Sequence, residues 1–173
     1  MIWRCRPRAV ARVCHTYARA RIQVKAIGIN RADGMGRRGV HNEPITSFPA
    51  GLGNEAEGII DSIGEGVTAF ALGDVVNIIP SFSVNKYGMY GEVVLALVHA
   101  VVKQPSSLSY VEAASIWMMF MAAFSALIED AKISPQDVVL ITAASSSVGL
   151  AAIQLTNMAG ATPVAVTRTS ASD

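Results

Sequence analysis

The chain has 173 residues, of which 51% are hydrophobic and 16% are charged, and its formal net charge is +1. Its longest apolar run, Ala113 to Phe124, is too short to cross a membrane, and Cys5 and Cys14 give neither a disulfide framework nor a zinc-ligand spacing. We therefore expect one domain or two small ones with a sizeable core, located in a reducing compartment, the cytoplasm, and without a membrane partner.

The basic residues are concentrated at the N-terminus. Residues 1–32 contain eight Lys or Arg and no acid, whereas residues 33–173 contain six Lys or Arg and thirteen Asp or Glu. A basic leader over residues 1–21 fits a transit peptide, a nucleic-acid arm or an unstructured segment. The lack of Ser and the presence of Pro7 argue against a transit peptide, and the lack of interleaved aromatic and basic residues argues against a nucleic-acid partner. We expect this leader to have little function of its own.

Short strand patterns fill the chain up to Lys103. Ile22, Val24 and Ala26 alternate as in a strand, which runs into the segment NRAD at residues 30–33. Many short strands with Gly and Pro punctuation predict a small all-β barrel. After a loop at 44–53, the further predicted strands are 56–63, 75–79, 92–97 and 100–103.

An apolar helix is predicted to follow. Ser109 and Glu112 have the spacing of a capping box, which starts a helix through Ala114 and beyond. Residues 113–131 are apolar almost all round, so we expect this helix to be buried. Its methionine-aromatic cluster at 117–121 is more typical of a core than of a cofactor site.

Residues 137–170 have the pattern of a βαβ unit. The β-branched run at 138–141 predicts a buried strand, helical spacing follows from Val148 to Gly160, and residues 163–167 resume as a strand, so a parallel sheet is expected. Small turn residues let a backbone approach the pyrophosphate of a dinucleotide, but a plain crossover without a ligand is about equally consistent with the pattern. The turn consists of Ala143, Ala144, Ser145, Ser146 and Ser147.

The segment VVLITAASSSVGLAAIQL resembles the cofactor turn of the medium-chain dehydrogenase/reductase superfamily, in its quinone oxidoreductase-like branch. The segments NRADGM, GNEAEGIIDSIGEGV, ALGDVV and YGEVV resemble that family in the same order, so the resemblance covers about residues 22–173. In the family the turn usually reads GAAGGVG, and here Ala143, Ser146 and Ser147 stand at three of its glycines.

The resemblance implies an α/β protein with two parts. A GroES-like β-barrel catalytic domain is expected over 22–108. Linking helices and the first βαβ unit of a Rossmann NAD(P)-binding domain are expected over 109–173. Because a doubly wound parallel sheet of this kind has about six strands, we expect the chain to be a truncated piece that is inactive alone and homo-oligomeric when complete. A two-stranded piece is also expected to expose an apolar sheet face.

The resemblance also implies that no metal is bound. Zinc enzymes of the superfamily use a Cys, the His of a GHE motif and a third ligand, and here Asn30, Asn54 and Met118 stand at or near those positions. Amide and thioether groups are poor zinc ligands compared with thiolate and imidazole.

Asn30 and Asp33 match positions in the family's catalytic cleft, and Tyr87 and Tyr90 are further candidates for its wall. Asn30 is expected to donate a hydrogen bond to the developing oxyanion, Asp33 to position water or a loop, and the tyrosines to line the cleft wall. Asn and Asp also favour turns, and without the resemblance a purely structural role for them is about equally consistent.

The residues after the second parallel strand indicate NADP as the cofactor. An NAD site usually places an acid there, but Thr167, Arg168, Thr169 and Ser170 contain none, and the Arg168 guanidinium suits a 2′-phosphate. A solvated surface arginine is the plain alternative. The predicted cofactor-binding residues are these four, the turn residues 143–147, Val148 and Gly149.

The predicted function is zinc-independent hydride transfer from NADPH to a small-molecule quinone or activated enone. A zinc-independent alcohol dehydrogenase acting on small alcohols or aldehydes is one alternative. A non-catalytic NADP-binding or interaction protein is the other.

Overall fold

The computed structural model describes residues 18–168, which form two compact units divided between Ile116 and Trp117. The predicted leader therefore lies almost wholly outside the described residues, and the predicted boundaries of the functional domains stay predictions. The first unit contains β1 (Arg19–Ile27), α1 (Arg31–Arg38), β2 (Ala56–Ile63), β3 (Val75–Ile78), β4 (Val93–Leu97), β5 (Val101–Lys103) and α2 (Tyr110–Ala114). The second contains α3 (Trp117–Phe124), a π-helical segment (Ser125–Asp130), β6 (Val138–Thr142), α4 (Ser147–Met158) and β7 (Thr162–Val166).

The first unit is built on an antiparallel sheet of five strands in the order β4-β1-β2-β3-β5. Alternation along the strands sends every second side chain to one face. On that face Ile22, Ile60, Val76 and Ile78 pack with Met89 into the core of the unit, and each is at most 1% exposed. The strands predicted from the sequence are confirmed. In the structure the predicted barrel is a five-stranded sheet, and β4 and β5 are its edge strands.

Helix α1 is an element that the sequence pattern does not predict. Gly34 and Gly36 lie inside it, and glycine is a poor helix former. Contacts at its two ends stabilise it instead. The Asp33 carboxylate accepts a hydrogen bond from the Asn30 backbone N–H at 2.8 Å, and Gly39 ends the helix in the left-handed conformation, with φ of 72°.

The apolar stretch predicted as one buried helix is divided into three pieces, and the prediction of burial is wrong for most of it. Helix α2 begins at the predicted capping box, where Glu112 accepts a hydrogen bond from the Ser109 backbone N–H at 2.9 Å. In α3 the buried residue is Ala123, whereas Met121 is 36% and Phe124 is 43% exposed. An apolar pattern therefore predicts that a helix packs against other parts of a protein, but it does not identify those parts. No helix within residues 18–168 is long and apolar enough to cross a membrane.

The predicted βαβ unit is confirmed in the second unit. Strands β6 and β7 pair in parallel and α4 connects them. Ile141, Ala151 and Leu155 form part of the small core between the strands and the helices. The other face of the two strands is exposed, as expected, and its apolar side chains are Val138 (68%), Leu140 (66%), Val164 (41%) and Val166 (43%).

Candidate functional site

The candidate site lies in the first unit, where the end of β1, the first turn of α1 and the loop before β2 meet. Asn30 directly precedes α1, and Asp33 lies in its first turn. Asn54 and Glu55 directly precede β2, and Tyr90 comes from the segment before β4. We call these five residues the polar cluster, because they are joined by three hydrogen bonds between side chains and one from the Asn30 backbone N–H to Asp33.

Asp33 is the central residue of the polar cluster. It is 7% exposed, and three groups donate hydrogen bonds to its carboxylate. The Asn30 backbone N–H and the Tyr90 hydroxyl donate to Oδ2 at 2.8 and 2.9 Å, and the Asn54 amide donates to Oδ1 at 3.0 Å. Both oxygens of a buried carboxylate are thereby satisfied. Of its two predicted roles, these contacts favour positioning of the loop over positioning of water.

Glu55 is a member of the polar cluster that the sequence interpretation missed. It is 2% exposed, and its Oε1 accepts a hydrogen bond from the Asn30 side-chain amide at 2.8 Å. A Cβ atom at Gly28 would overlap the Glu55 side chain and the Ala114 carbonyl oxygen, so a glycine is required there. The sequence does place this acid directly after Asn54 in the segment GNE. Its hydrogen-bond partner, Asn30, lies 25 residues earlier, so the sequence does not show that the two meet.

The contact with Glu55 fixes the orientation of the Asn30 amide. The amide presents Nδ2 to the Glu55 Oε1 atom. A primary amide carries two N–H donors, and Glu55 receives one of them. The half-buried Asn30 can therefore offer its second N–H to a ligand while the first keeps the side chain in place.

Tyr90 acts as a neutral hydrogen-bond donor in the polar cluster. Its hydroxyl lies 3.4 Å from the Gly28 carbonyl oxygen as well as 2.9 Å from Asp33. Burial, and then the hydrogen bond to Asp33, raise the pKa of Tyr90 well above its ordinary value. Its ring packs on Gly53, where φ is 93° and a Cβ atom would overlap the ring.

Tyr87 lies outside the polar cluster although it is only three residues from Tyr90. Its ring makes an edge contact with Phe82, with 5.9 Å between the ring centroids, and the Arg19 guanidinium lies 5.6 Å from its ring centroid. Both aromatic rings pack against the core of the first unit. These contacts give Tyr87 a packing role, and its place on a cleft wall stays a prediction.

The donor set of the polar cluster suits hydrogen bonding better than zinc. The amides of Asn30 and Asn54, at positions that the resemblance assigns to zinc ligands, are bonded to carboxylates of Glu55 and Asp33. Within residues 18–168, no three His, Cys, Asp or Glu residues come together as a metal site would need. Zinc in proteins is held mainly by thiolate, imidazole and carboxylate. Zinc independence nevertheless stays a prediction.

The predicted cofactor turn lies in the second unit between β6 and α4. Ser146 precedes the helix, and its Oγ accepts a hydrogen bond from the Gly149 N–H at 3.1 Å. A Cβ atom at Gly149 would lie 2.7 Å from the Cα and the carbonyl oxygen of Ala144, so the close packing of helix and turn requires glycine. Ala143 has φ of 50°, a left-handed conformation that glycine adopts freely. This agrees with its place at a glycine of the family turn.

The exposed part of this turn fits the phosphates of a dinucleotide. Ser145, Ser147 and Val148 are exposed. The backbone N–H groups in the first turn of α4 have no preceding acceptor within the helix, and such groups bind phosphate. The small side chains around them leave the backbone accessible to a ligand.

The residues after β7 carry the predicted cofactor preference. Thr167 and Arg168 are exposed, so the guanidinium is accessible to a ligand. Thr169 and Ser170 lie outside the described residues. The structure thus places the turn and Arg168 in one unit, and the binding of a cofactor to them stays a prediction.

A family model matches the first unit. Residues 17–106, more than half of the chain, match the alcohol dehydrogenase GroES-like domain. The chain belongs to this family. Its GroES-like unit therefore contains the whole polar cluster.

The relatives of the chain are medium-chain dehydrogenases/reductases, which confirms the resemblance stated above. Pig (Sus scrofa) quinone oxidoreductase is 34% identical over 140 residues, which is 80% of this chain and 41% of the relative. The zebrafish (Danio rerio) synaptic vesicle membrane protein VAT-1 homolog is 34% identical over 134 residues, 78% of this chain and 26% of the relative.

Solved structures give the same result. Escherichia coli quinone oxidoreductase complexed with NADPH has a TM-score of 0.78 and 30% identity, with 88% of this chain and 45% of that chain covered. The chain therefore spans about half the length, or less, of the relatives that it matches.

Proposed function

We propose that this protein is an oxidoreductase that transfers hydride, without zinc, from NADPH to a quinone or an activated enone. Its superfamily supports the general class. The observation that carries the finer assignment is the Asn30 amide, which Glu55 holds at 2.8 Å through one N–H and which keeps a second N–H for a ligand.

The second N–H of the Asn30 amide is suited to stabilising negative charge on a substrate oxygen. Hydride addition to a quinone or enone gives a delocalised phenolate or enolate, and a fixed amide donor stabilises such an oxyanion. We assign this donor to Asn30. Asp33 acts as a positioning residue, because it binds the Asn30 backbone, Tyr90 and Asn54 together.

The second unit would hold the cofactor. Its residues fit the group, because the N–H groups at the start of α4, at Ser147 and Val148, have no acceptor within the helix and the glycine at 149 permits close packing. Arg168 would bind the 2′-phosphate. When bound, NADPH supplies the hydride, and the protein supplies position and electrostatics.

We further propose a cytoplasmic homo-oligomer whose partner is the small-molecule substrate, with neither nucleic acid nor membrane involved. Size-exclusion chromatography with light scattering, applied to the longest natural form of the protein, measures the oligomeric state. A monomer at micromolar concentration would contradict this part of the proposal.

The function is tested with the longest natural form of the protein, assayed for NADPH oxidation with quinones, enones and small aldehydes. We expect turnover of quinones or enones, and a loss of about 100-fold in kcat/KM in Asn30→Ala, as for removal of one oxyanion donor. The exposed Asn42 of the same unit gives a matched control, because Asn42→Ala removes an equal side chain outside the polar cluster.

Other outcomes of this assay are informative. Turnover of small aldehydes or alcohols without quinones would identify a zinc-independent alcohol dehydrogenase instead. Cofactor binding without turnover of any substrate would identify a non-catalytic NADP-binding protein. Elemental analysis that finds about one zinc per chain, retained through chelation, would overturn the zinc-independent mechanism.

A further inference from the structure

Two polar side chains of the GroES-like unit are completely buried and unsatisfied. Glu57 in β2 and Asn77 in β3 are both 0% exposed. Neither carboxyl oxygen of Glu57, and neither the nitrogen nor the oxygen of the Asn77 amide, has a hydrogen-bond partner within residues 18–168. Buried polar groups are nearly always bonded, and each unsatisfied one destabilises the fold. Four such atoms on two neighbouring strands therefore require an explanation.

The two side chains face each other on the sheet. Glu57 and Asn77 are directly opposite in the antiparallel ladder of β2 and β3. Opposite residues project from the same face, with their Cβ atoms about 4.5–5.5 Å apart. The core residues Ala56, Val76 and Ile78 alternate with them and occupy the other face. Rotation about side-chain bonds alone is therefore enough to bring the carboxyl and the amide into contact.

The chemistry of the two groups depends on one proton. A protonated carboxyl donates its O–H to an amide oxygen and accepts an amide N–H, so both groups are satisfied at once. An ionised carboxylate only accepts, so it keeps the N–H bond and leaves the amide oxygen unpaired beside a negative charge. We propose that Glu57 and Asn77 form a proton-controlled pair, doubly hydrogen-bonded when Glu57 is protonated and destabilising to the sheet when Glu57 is ionised.

The elements on either side of Glu57 do not neutralise its charge. On β1 its ladder partner is the uncharged Ala26, and Lys25 attracts the carboxylate without forming an ion pair among the described residues. At the start of β3 and the end of β5, Asp74 and Lys103 are paired with each other at 3.0 Å.

The other carboxylates near this sheet are already engaged. Before β2, Glu55 binds Asn30, and within β2 Asp61 forms an ion pair with Arg21 at 2.6 Å. On α2, which packs against β1, β2 and β3, the exposed Glu112 caps its own helix. Asn77 is therefore the polar side chain directly opposite Glu57 in the ladder that is placed to satisfy it.

Burial raises the pKa of Glu57 to about 7, and the attraction of Lys25 only partly opposes this. In the unfolded chain the ordinary value is 4.5. The folded state thus holds a proton that the unfolded state releases. The stabilisation is fully present below about pH 4.5 and is lost as the pH rises through about 7.

The test is urea unfolding of the 173-residue chain between pH 5 and pH 8, for the wild type, Glu57→Gln and Glu65→Gln. Gln mimics the protonated carboxyl at every pH, because its amide can both donate to and accept from Asn77. Glu65 is an exposed carboxylate in the same unit and serves as the control.

We expect the unfolding equilibrium constant of the wild type to rise, relative to that of Glu57→Gln, on the order of 100-fold between pH 5 and pH 8. Glu57→Gln is therefore expected to match the wild type at pH 5 and to exceed its stability at pH 8, whereas Glu65→Gln follows the wild type. Equal pH dependence in the wild type and Glu57→Gln would overturn the proposal. If unfolding is not two-state, carbon NMR titration of the Glu57 carboxyl decides, because a midpoint near 4.5 would equally overturn it.

Discussion

The two units of the chain differ in the carboxyl groups that they bury and in the apolar faces that their strands expose. The GroES-like unit buries polar groups: Asp33 is 7%, Glu55 2% and Glu57 0% exposed. The second unit exposes apolar ones, since Val138 and Leu140 on β6 are 68% and 66% exposed. The buried carboxyl groups therefore lie in the first unit, whereas the two strands of the second unit present an apolar face of the kind against which further protein packs.

This difference indicates how each part of the candidate function is stabilised. The polar cluster is joined by hydrogen bonds between residues up to 57 positions apart, so its geometry depends on the fold of the whole first unit. The cofactor turn depends on contacts between residues 143 and 149 and on a hydrogen bond from the Ala144 N–H to the Val166 carbonyl oxygen at 3.2 Å, so its geometry depends on the second unit alone. We expect substitutions in the cluster to affect global stability, and those in the turn to act mainly near the turn.

The largest effect is expected for Asp33→Ala. The substitution leaves the Asn30 backbone N–H, the Asn54 amide and the Tyr90 hydroxyl without their common acceptor. Hydrogen bonds to a charged group contribute about 1.5–3 kcal/mol each and are not additive, so we expect a loss of about 3–5 kcal/mol in the free energy of unfolding. Urea unfolding at neutral pH measures it.

Asp61→Ala is the matched control for Asp33→Ala. Asp61 also accepts two side-chain hydrogen bonds, from Arg21 and Gln23, but it is less buried than Asp33, with 22% of its side chain exposed. Surface ion pairs contribute about 0–1 kcal/mol. Equal losses of unfolding free energy in the two variants would show that the buried hydrogen bonds of Asp33 stabilise the fold no more than those of Asp61 do. The contrast between the two units would then be wrong.

Much of the fold was predictable because it depends on local patterns. The strands follow from alternation along the chain, and the βαβ unit follows from an apolar run, a small-residue turn and a terminating glycine at 160. Helix α1 was not predictable, because Gly34 and Gly36 oppose helix formation and the stabilising contacts are at its ends.

The candidate site was predictable only in part. Asn30, Asp33 and Tyr90 were identified and come together. Glu55 was missed, because its link to Asn30 is visible only after the chain folds. The sequence does not distinguish Tyr87 from Tyr90, but in the structure the Tyr87 ring packs against the core and the Tyr90 hydroxyl bonds to the polar cluster. Sequence proximity does not determine which way a loop side chain projects.

Gly149→Ala tests the local character of the cofactor turn. A methyl group there would lie 2.7 Å from backbone atoms of Ala144, so the helix and the turn must separate. Overpacking of this kind costs about 1–3 kcal/mol. We expect faster amide hydrogen exchange in α4 and unchanged exchange around Asp33.

The control is Gly34→Ala, where a Cβ atom meets nothing within 4 Å and helix propensity favours alanine by about 0.5–1 kcal/mol. Spread of the exchange effect into the first unit would contradict a local turn.

Arg168→Ala sharpens the assignment of the second unit to NADP. One charge-assisted hydrogen bond contributes about 1.5–3 kcal/mol, so the affinity for NADPH is expected to fall at least about tenfold. The affinity for NADH should not change, because NADH lacks the 2′-phosphate. Calorimetry on the longest natural form measures both constants, with Arg168→Lys as a variant that keeps the charge but loses the planar fork. Equal affinities for the two cofactors in the wild type would refute the preference.

The smallest effect is expected for Ala143→Gly, and its sign is opposite to that of the other substitutions. Ala143 has φ of 50°, a left-handed conformation that costs an L-residue about 1–2 kcal/mol and glycine almost nothing. Glycine also gains freedom in the unfolded chain, so we expect a net stabilisation of at most about 1 kcal/mol. The neighbouring Ala144→Gly is the control, because Ala144 is only 3% exposed and its loss should destabilise the unit. If Ala143→Gly destabilises the chain as Ala144→Gly does, then the packing of the Ala143 methyl group stabilises the turn by more than its left-handed backbone destabilises it. Position 143 would then not favour glycine.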